Sequence, residues 1–456
     1  MRGFTSRTGT ALAGMLAAVV LFAGATTRAA DERRQLDELI QALKQKGVAV
    51  QPADFSTEPV PAADDAAPAL LAAAKLVKAR PEPWKALEQI SERLPASPQL
   101  AEVYRNIVAS DSEALALADQ ALVRKAADWK VTVTSPVIRV MLPHLNGQRD
   151  VANLLRVAAF DAYTRGDHRQ AVNHVRELLA LGRLLDRQPF IVSHLVAIGV
   201  GALTYDCIYQ MAPDLKIESG GSLDPKAATA EQMRGLIAEL NDEKVLHDGL
   251  NIALQSERMS ELDVAGALIA GTIKWEELAG PAVAPGQAPV PEPQDLKSVA
   301  VRDTKLMSEH MALMETAVLS ADYPTFQKQK PPAPRNADQG PLARLAMPAL
   351  DRTVRQQYRA LTERRMAAAV LAVRWFCVDS GGKFPARLAD VSPRYLQAVP
   401  LDPMALKQPL TYKPDAKVLY SVGEDGIDNG GSERPKDPAR NAPWFLQDYV
   451  IHLTRE

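Results

Sequence analysis

Four oxygen-bearing side chains crowd one short stretch near the C-terminus: Glu424, Asp425, Asp428 and Asn429. Gly423, Gly426, Gly430 and Gly431 are interleaved with them. Glycine enters backbone conformations closed to other residues, so carbonyl oxygens can turn inward beside the carboxylates. Calcium takes roughly six to eight oxygens from carboxylates, amides and carbonyls, and such a loop can supply most of that shell. The spacing is not that of an EF-hand. With Asp425 as first ligand, the position that needs a bidentate glutamate holds Lys436. The same letters also describe a solvated loop with two tight turns, Asp425-Gly426 and Asn429-Gly430.

The elements that must position this loop precede it. Val354, Tyr358, Leu361, Met366, Val370, Val373 and Cys377 recur at steps of three to five, one face of a helix. Gly381-Gly382 end it, because glycine enters the left-handed region at little cost. Lys383-Phe384-Pro385 turns the chain. Leu388, Val391, Tyr395, Leu396 and Val399 are apolar anchors of a strap whose Pro400 and Pro403 forbid further helix. Leu410 to Lys413 and Lys417 to Ser421 are β-like runs joined by Pro414-Asp415-Ala416, which predicts a hairpin.

This order of features resembles the C-terminal half of the major, G-type pseudopilin of type II secretion. The matching pieces are the Lys383-Phe384-Pro385 turn, the strap through Asp402-Pro403, Leu410-Thr411-Tyr412, the loop Tyr420 to Gly426, and Asp448-Tyr449-Val450. That family packs a long helix on a small antiparallel sheet and binds calcium in this loop. The resemblance implies calcium as cofactor, with Asp425 and Asp448 as acidic ligands and Ser421 giving a backbone oxygen. Asp428, in the same loop, is the looser match. The resemblance covers under a fifth of the chain. The glutamate that the family carries near its mature N-terminus is Thr8 here, so assembly into a pseudopilus is not implied. A helical body ending in such a module is similar to secreted proteins of environmental bacteria.

A length of 456 residues excludes a single small domain, and 47% hydrophobic content supports large cores. Aromatics make up only 5%, and alanine and leucine dominate, which points to helix. A net charge of −2 gives no reason to expect nucleic acid or an anionic membrane as partner. Arg2 and Arg7 precede an apolar run from Ala11 to Ala25, and Thr27-Arg28-Ala29 suits cleavage after Ala29. This reads as a secretory signal peptide, so the mature chain is expected in the periplasm or outside the cell. No later stretch is expected to span a membrane. Cys207 and Cys377 could form one disulfide in such a compartment, or stay as two buried thiols.

Ser97-Pro98 starts a helical stretch that runs to Lys130, and Asp150 to Ala212 is the most strongly helical region. Ala158 to Ala171 reads as an antiparallel helix pair. Ile191 to Ile208 is apolar nearly all round, as in a central buried helix. Glu231 to Leu278 is helical again, and Met307, Met311 and Met314 form a stripe that suits core filling. Gly220-Gly221, 280–294 and 322–340 read as linkers or loops. No phosphate-binding glycine loop, dinucleotide fingerprint, nucleophile elbow or HExxH occurs. His168 and His174, six apart, read as polar surface residues, and His194 as a core histidine. Glu257-Arg258 and Glu276-Glu277 read as solvated helix faces.

The expected fold is mainly α, an exported helical body plus a small C-terminal α+β pseudopilin-like module. The expected segments are a signal peptide (1–29), a helical body (30–215), a helical segment with proline-rich linkers (216–340) and the module (341–456). The expected function is non-enzymatic: a structural or interaction protein of the cell envelope, stiffened by calcium, with a protein partner there. A helical peptide- or polymer-binding protein is the alternative, which a groove lined by the 150–212 helices would favour. The third is a periplasmic enzyme, which a cleft of convergent polar groups with a perturbed carboxylate would favour.

Overall fold

A computed structural model describes residues 30–455 apart from 57, 80, 89, 91–92, 220–223, 280–291, 333–339 and 441. The expected signal peptide, Gly220-Gly221 and much of the two later proline-rich stretches lie outside the described residues. The chain is mainly helical, with one small antiparallel sheet near its C-terminus.

Local chemistry sets the helix ends. Helix α1 covers 30–45, followed by α2 (Ala67–Lys78) and α3 (Glu82–Leu87). Ser97 Oγ accepts from the Leu100 amide at 3.1 Å to open α4 (Pro98–Ser110). The stretch expected to run on to Lys130 breaks at Asp111, which leaves helical geometry at φ −103°, ψ 20°. Its carboxylate is buried and holds the Trp84 indole N–H at 2.9 Å, so a long-range contact overrides local propensity. Helix α5 (Ser112–Leu122) follows.

Helices α6 (His144–Thr164) and α7 (His168–Leu185) form the expected antiparallel pair, turning at Gly166, whose φ is +77°. Ala158, Ala159, Ala162 and Ala171 are buried, and these small side chains let the two backbones approach. Helix α8 (Ile191–Met211) packs against α6, α7, α10 and α14. By length and composition Ile191–Asp214 does qualify as a membrane span, contrary to expectation; half of its apolar window is buried by the surrounding helices, as in a core helix.

The region expected as one helical stretch from 231 to 278 is three helices. They are α9 (Ala230–Asn241), α10 (Lys244–Ala270) and α11 (Trp275–Ala279). Asp242, at ψ 76°, makes the first break, and Gly271, in the left-handed region, makes the second. Helices α12 (Leu296–Ala317) and α13 (Tyr323–Gln329) complete this layer, with the Met307, Met311 and Met314 stripe buried as core.

The long helix α14 (Pro341–Asp379) buries all seven residues of its expected face. Gly381 and Gly382, both at positive φ, stop it. Strands β1 (Thr411–Lys413), β2 (Val418–Ser421) and β3 (Tyr449–His452) follow in the order β1-β2-β3. Thr411 pairs with Tyr420, which is the expected hairpin, and Ser421 pairs with Tyr449. Central β2 is buried along its whole length. One core runs from Leu70 and Phe160 through Val200 to Val370 and Leu419, so the sheet shares its interior with the helical body through α14. Glu363 on α14 adds a polar tie, accepting from the Trp444 indole at 2.8 Å and the Tyr449 hydroxyl at 3.1 Å. Cys207 and Cys377 are both buried, and neither is in a disulfide.

Candidate functional site

The expected calcium residues are spread over the loop and its supports. Gly423, Gly426, Gly430 and Gly431 all take positive φ, so the loop turns as their letters require. Asp448 is fully buried. Its carboxylate accepts from the amides of Gly431 and Ser432 at 2.8 Å each and of Asn429 at 3.3 Å, which fixes the loop to β3. Asp428 Oδ1 accepts from the Tyr420 hydroxyl at 3.0 Å and the Gly430 amide at 2.8 Å. Ser421 Oγ donates to Asp402 at 2.8 Å. Asp425 pairs with the Lys436 ammonium at 3.0 Å, the residue that stands where an EF-hand would close. These side chains are each engaged with a donor or acceptor of the protein.

A second constellation, outside the sequence reading, lies between α5, α7 and α9. Asn173, Arg176, Glu177, Ala180, Arg183, Leu184 and Arg187 recur at helical spacing along α7 and just past its end. They form one wall of a cleft of about 780 Å³. Arg176 crosses to α9 and binds Glu239 at 2.6 Å. Gly235 leaves room for it, since a Cβ there would stand 3.2 Å from the guanidinium. Arg183 makes no hydrogen bond or ion pair among the described residues, and burial pulls its guanidinium below the ordinary arginine range.

The cleft continues. A second concavity of about 630 Å³ shares Val123, Arg124, Lys125 and Arg187 with the first. A third, of about 220 Å³, shares Arg187 with both and is lined by Phe55, Trp129, Val131 and Phe190. The three form one groove: charge is mixed in the first concavity, Arg124, Lys125 and Arg187 stand with Glu58 and Asp64 in the second, and aromatic rings line the third. Arg187 lies where all three meet.

At the charged end, Asp119, His174 and Glu177 bring one ligand atom each to within 4.8 Å of one another. They are the only such set of three His, Cys, Asp or Glu residues among the described residues. His174 is buried, which corrects its reading as a surface residue. Its Nδ1 stands 2.7 Å from Glu177 Oε2 and its Nε2 stands 3.1 Å from the Gln170 amide. Burial, then the Glu177 charge, push the Asp119 carboxyl up to about 6, against the opposing pull of His174. Helical spacing joins His174 to Glu177 one turn on; only packing brings Asp119 across from α5.

His168 is buried too, edge-on to Tyr163 at 4.9 Å. His194 is the expected core histidine, with Nδ1 at 2.6 Å from buried Asp186. The Glu257-Arg258 pair is not a solvated face: Arg258 is 1% exposed and lies 2.8 Å from Glu315, and burial raises Glu257. Glu276 and Glu277 are exposed as expected.

No family model, no curated protein and no solved structure matches the chain.

Proposed function

We propose that this is a binding protein that holds an extended peptide in the groove along α7. The observation that carries this reading is the groove itself. Three adjoining concavities meet at Arg187, so the surface is a chain of open depressions rather than a single enclosed pocket. Its half-buried rings at Phe55 and Phe190 suit apolar side chains. Lys125, Arg187 and Arg183 suit a carboxylate further along, and arginine binds carboxylates in a planar fork. The occupant is therefore an extended peptide with an aromatic or aliphatic anchor and an acidic residue beyond it. The signal-like N-terminus supports export, which would place the groove in the periplasm or outside the cell. Selection from a random peptide display library tests the reading. Enriched peptides should pair an apolar anchor with an acidic residue, and Arg187→Glu should weaken them by about tenfold or more. Enrichment without that pattern, or indifference to the substitution, would refute it.

A second reading concerns the C-terminal layer, proposed as a pseudopilin-like module stiffened by calcium. Its support is the sequence resemblance together with the four left-handed glycines that shape the loop. Ion binding there would displace the Lys436 ammonium from Asp425, with Asp428, Asp448 and the Ser421 carbonyl as the other proposed ligands. A thermal melt with excess calcium and then chelator decides it: Tm should rise with calcium, and an unchanged Tm would count against the ion.

A further inference from the structure

The charged end of the groove has a donor set suited to a cation. We propose that Asp119, His174 and Glu177 form a site for one divalent transition-metal ion of the zinc class. The set mixes an imidazole nitrogen with carboxylate oxygens, and it draws on two helices, α5 and α7. Zinc binds nitrogen and oxygen donors at about 2.0–2.2 Å in tetrahedral sites, which sets its ligand atoms about 3.4 Å apart. The three atoms already lie within 4.8 Å, so small rotations of the two half-buried carboxylates close the site.

Independent of that proximity, Asp119 Oδ1 is buried and has no hydrogen-bond partner. A buried carboxylate oxygen without a donor calls for an unseen water, proton or ion. His174 has the arrangement expected of a metal-bound imidazole. One nitrogen faces the carboxylates and the other meets Gln170, whose amide can turn to accept the ring N–H and fix the ring. The donor set also selects the metal. Calcium and magnesium require oxygen-rich shells, and copper(I) prefers sulfur, whereas one imidazole with two carboxylates suits zinc, cobalt, nickel or copper(II). Three protein ligands leave a coordination position open toward the cleft, which a water or the carboxylate of a bound peptide can occupy. This site stands whether or not the groove binds a peptide.

The test titrates the mature, chelator-treated chain with zinc chloride alone by calorimetry, and follows cobalt by its visible absorption. One ion per chain is expected, with the intense bands of a tetrahedral centre for cobalt. Asp119→Asn and Glu177→Gln should each weaken binding about tenfold or more, while Asp425→Ala should leave it unchanged. Because His174 is buried and its replacement can unfold the chain, the two carboxylate variants, shown folded by circular dichroism, carry the result. Absence of stoichiometric zinc binding would overturn the site, as would unchanged affinity in both folded variants. Loss of peptide binding on Arg187→Glu with zinc binding intact would separate the two proposals.

Discussion

Arg187 donates from Nη1 to the main-chain oxygen of Lys125 at 2.7 Å. That bond ties the end of α7 to the segment that follows α5, and the groove's three concavities meet around it. Arg187 is therefore both a fastening of the groove and a cation exposed within it. The same segment is anchored from the other side by Asp65, whose carboxylate accepts from the Asp128 amide at 2.8 Å. The groove wall thus rests on hydrogen bonds between side chains and main chain, which gives the proposed ligand a preformed surface.

Glu363 should make stability depend on pH. Burial raises its pKa above the ordinary 4.5, while the bonds from Trp444 and Tyr449 work in the opposite direction. The folded state then holds this proton more tightly than the unfolded chain. Its contribution is fully present below about pH 4.5 and is lost as pH rises through the folded pKa. Glu363→Gln should flatten this slope in urea titrations run between pH 4 and 8. Glu363→Ala should cost about 3 kcal/mol, by leaving the Trp444 and Tyr449 donors unpaired. A Gln variant with the wild-type slope would show that Glu363 is not the group responsible.

Gly249→Ala should destabilise the chain by about 2 kcal/mol or more. An added Cβ would meet the Asp186 carboxyl at 2.3 Å. That carboxyl cannot swing aside at little cost, because it is buried and bonded to His194 at 2.6 Å. Denaturant midpoints measure the loss, and a shift under about 0.5 kcal/mol would mean the Asp186–His194 pair is free to move.

Asp425→Ala separates an ion pair from an ion site. Without calcium it removes a half-exposed contact to Lys436, worth about 0.5 kcal/mol. With excess calcium, the proposed loop site adds binding free energy to folding in the wild type alone, so the difference between the two proteins should widen. Equal losses with and without calcium would refute the loop as a calcium site.

The sequence was most legible where local chemistry decides. The helical face from Val354 to Cys377, the Gly381-Gly382 stop, the Ser97 cap and the Thr411–Tyr420 pairing all follow from spacing and turn residues, and each is present. It was least legible where packing decides. Asp111 ends a helix because it reaches Trp84, twenty-seven residues away. His174 looks like a surface histidine by its neighbours in sequence, yet α5 covers it. The polar stripe from Asn173 to Arg187 has the spacing of any solvated helix face. Nothing local tells that α5, α9 and the 123–131 segment stand opposite it and turn that face into a groove.

The most direct test of the groove is the affinity of one selected peptide for the wild type, Arg187→Glu and Arg183→Glu, read by fluorescence anisotropy at two salt concentrations. Each substitution should weaken binding about tenfold or more, with folding unchanged by circular dichroism, and the wild-type affinity should fall as salt rises. Equal affinity across the three proteins would contradict a ligand bound along α7.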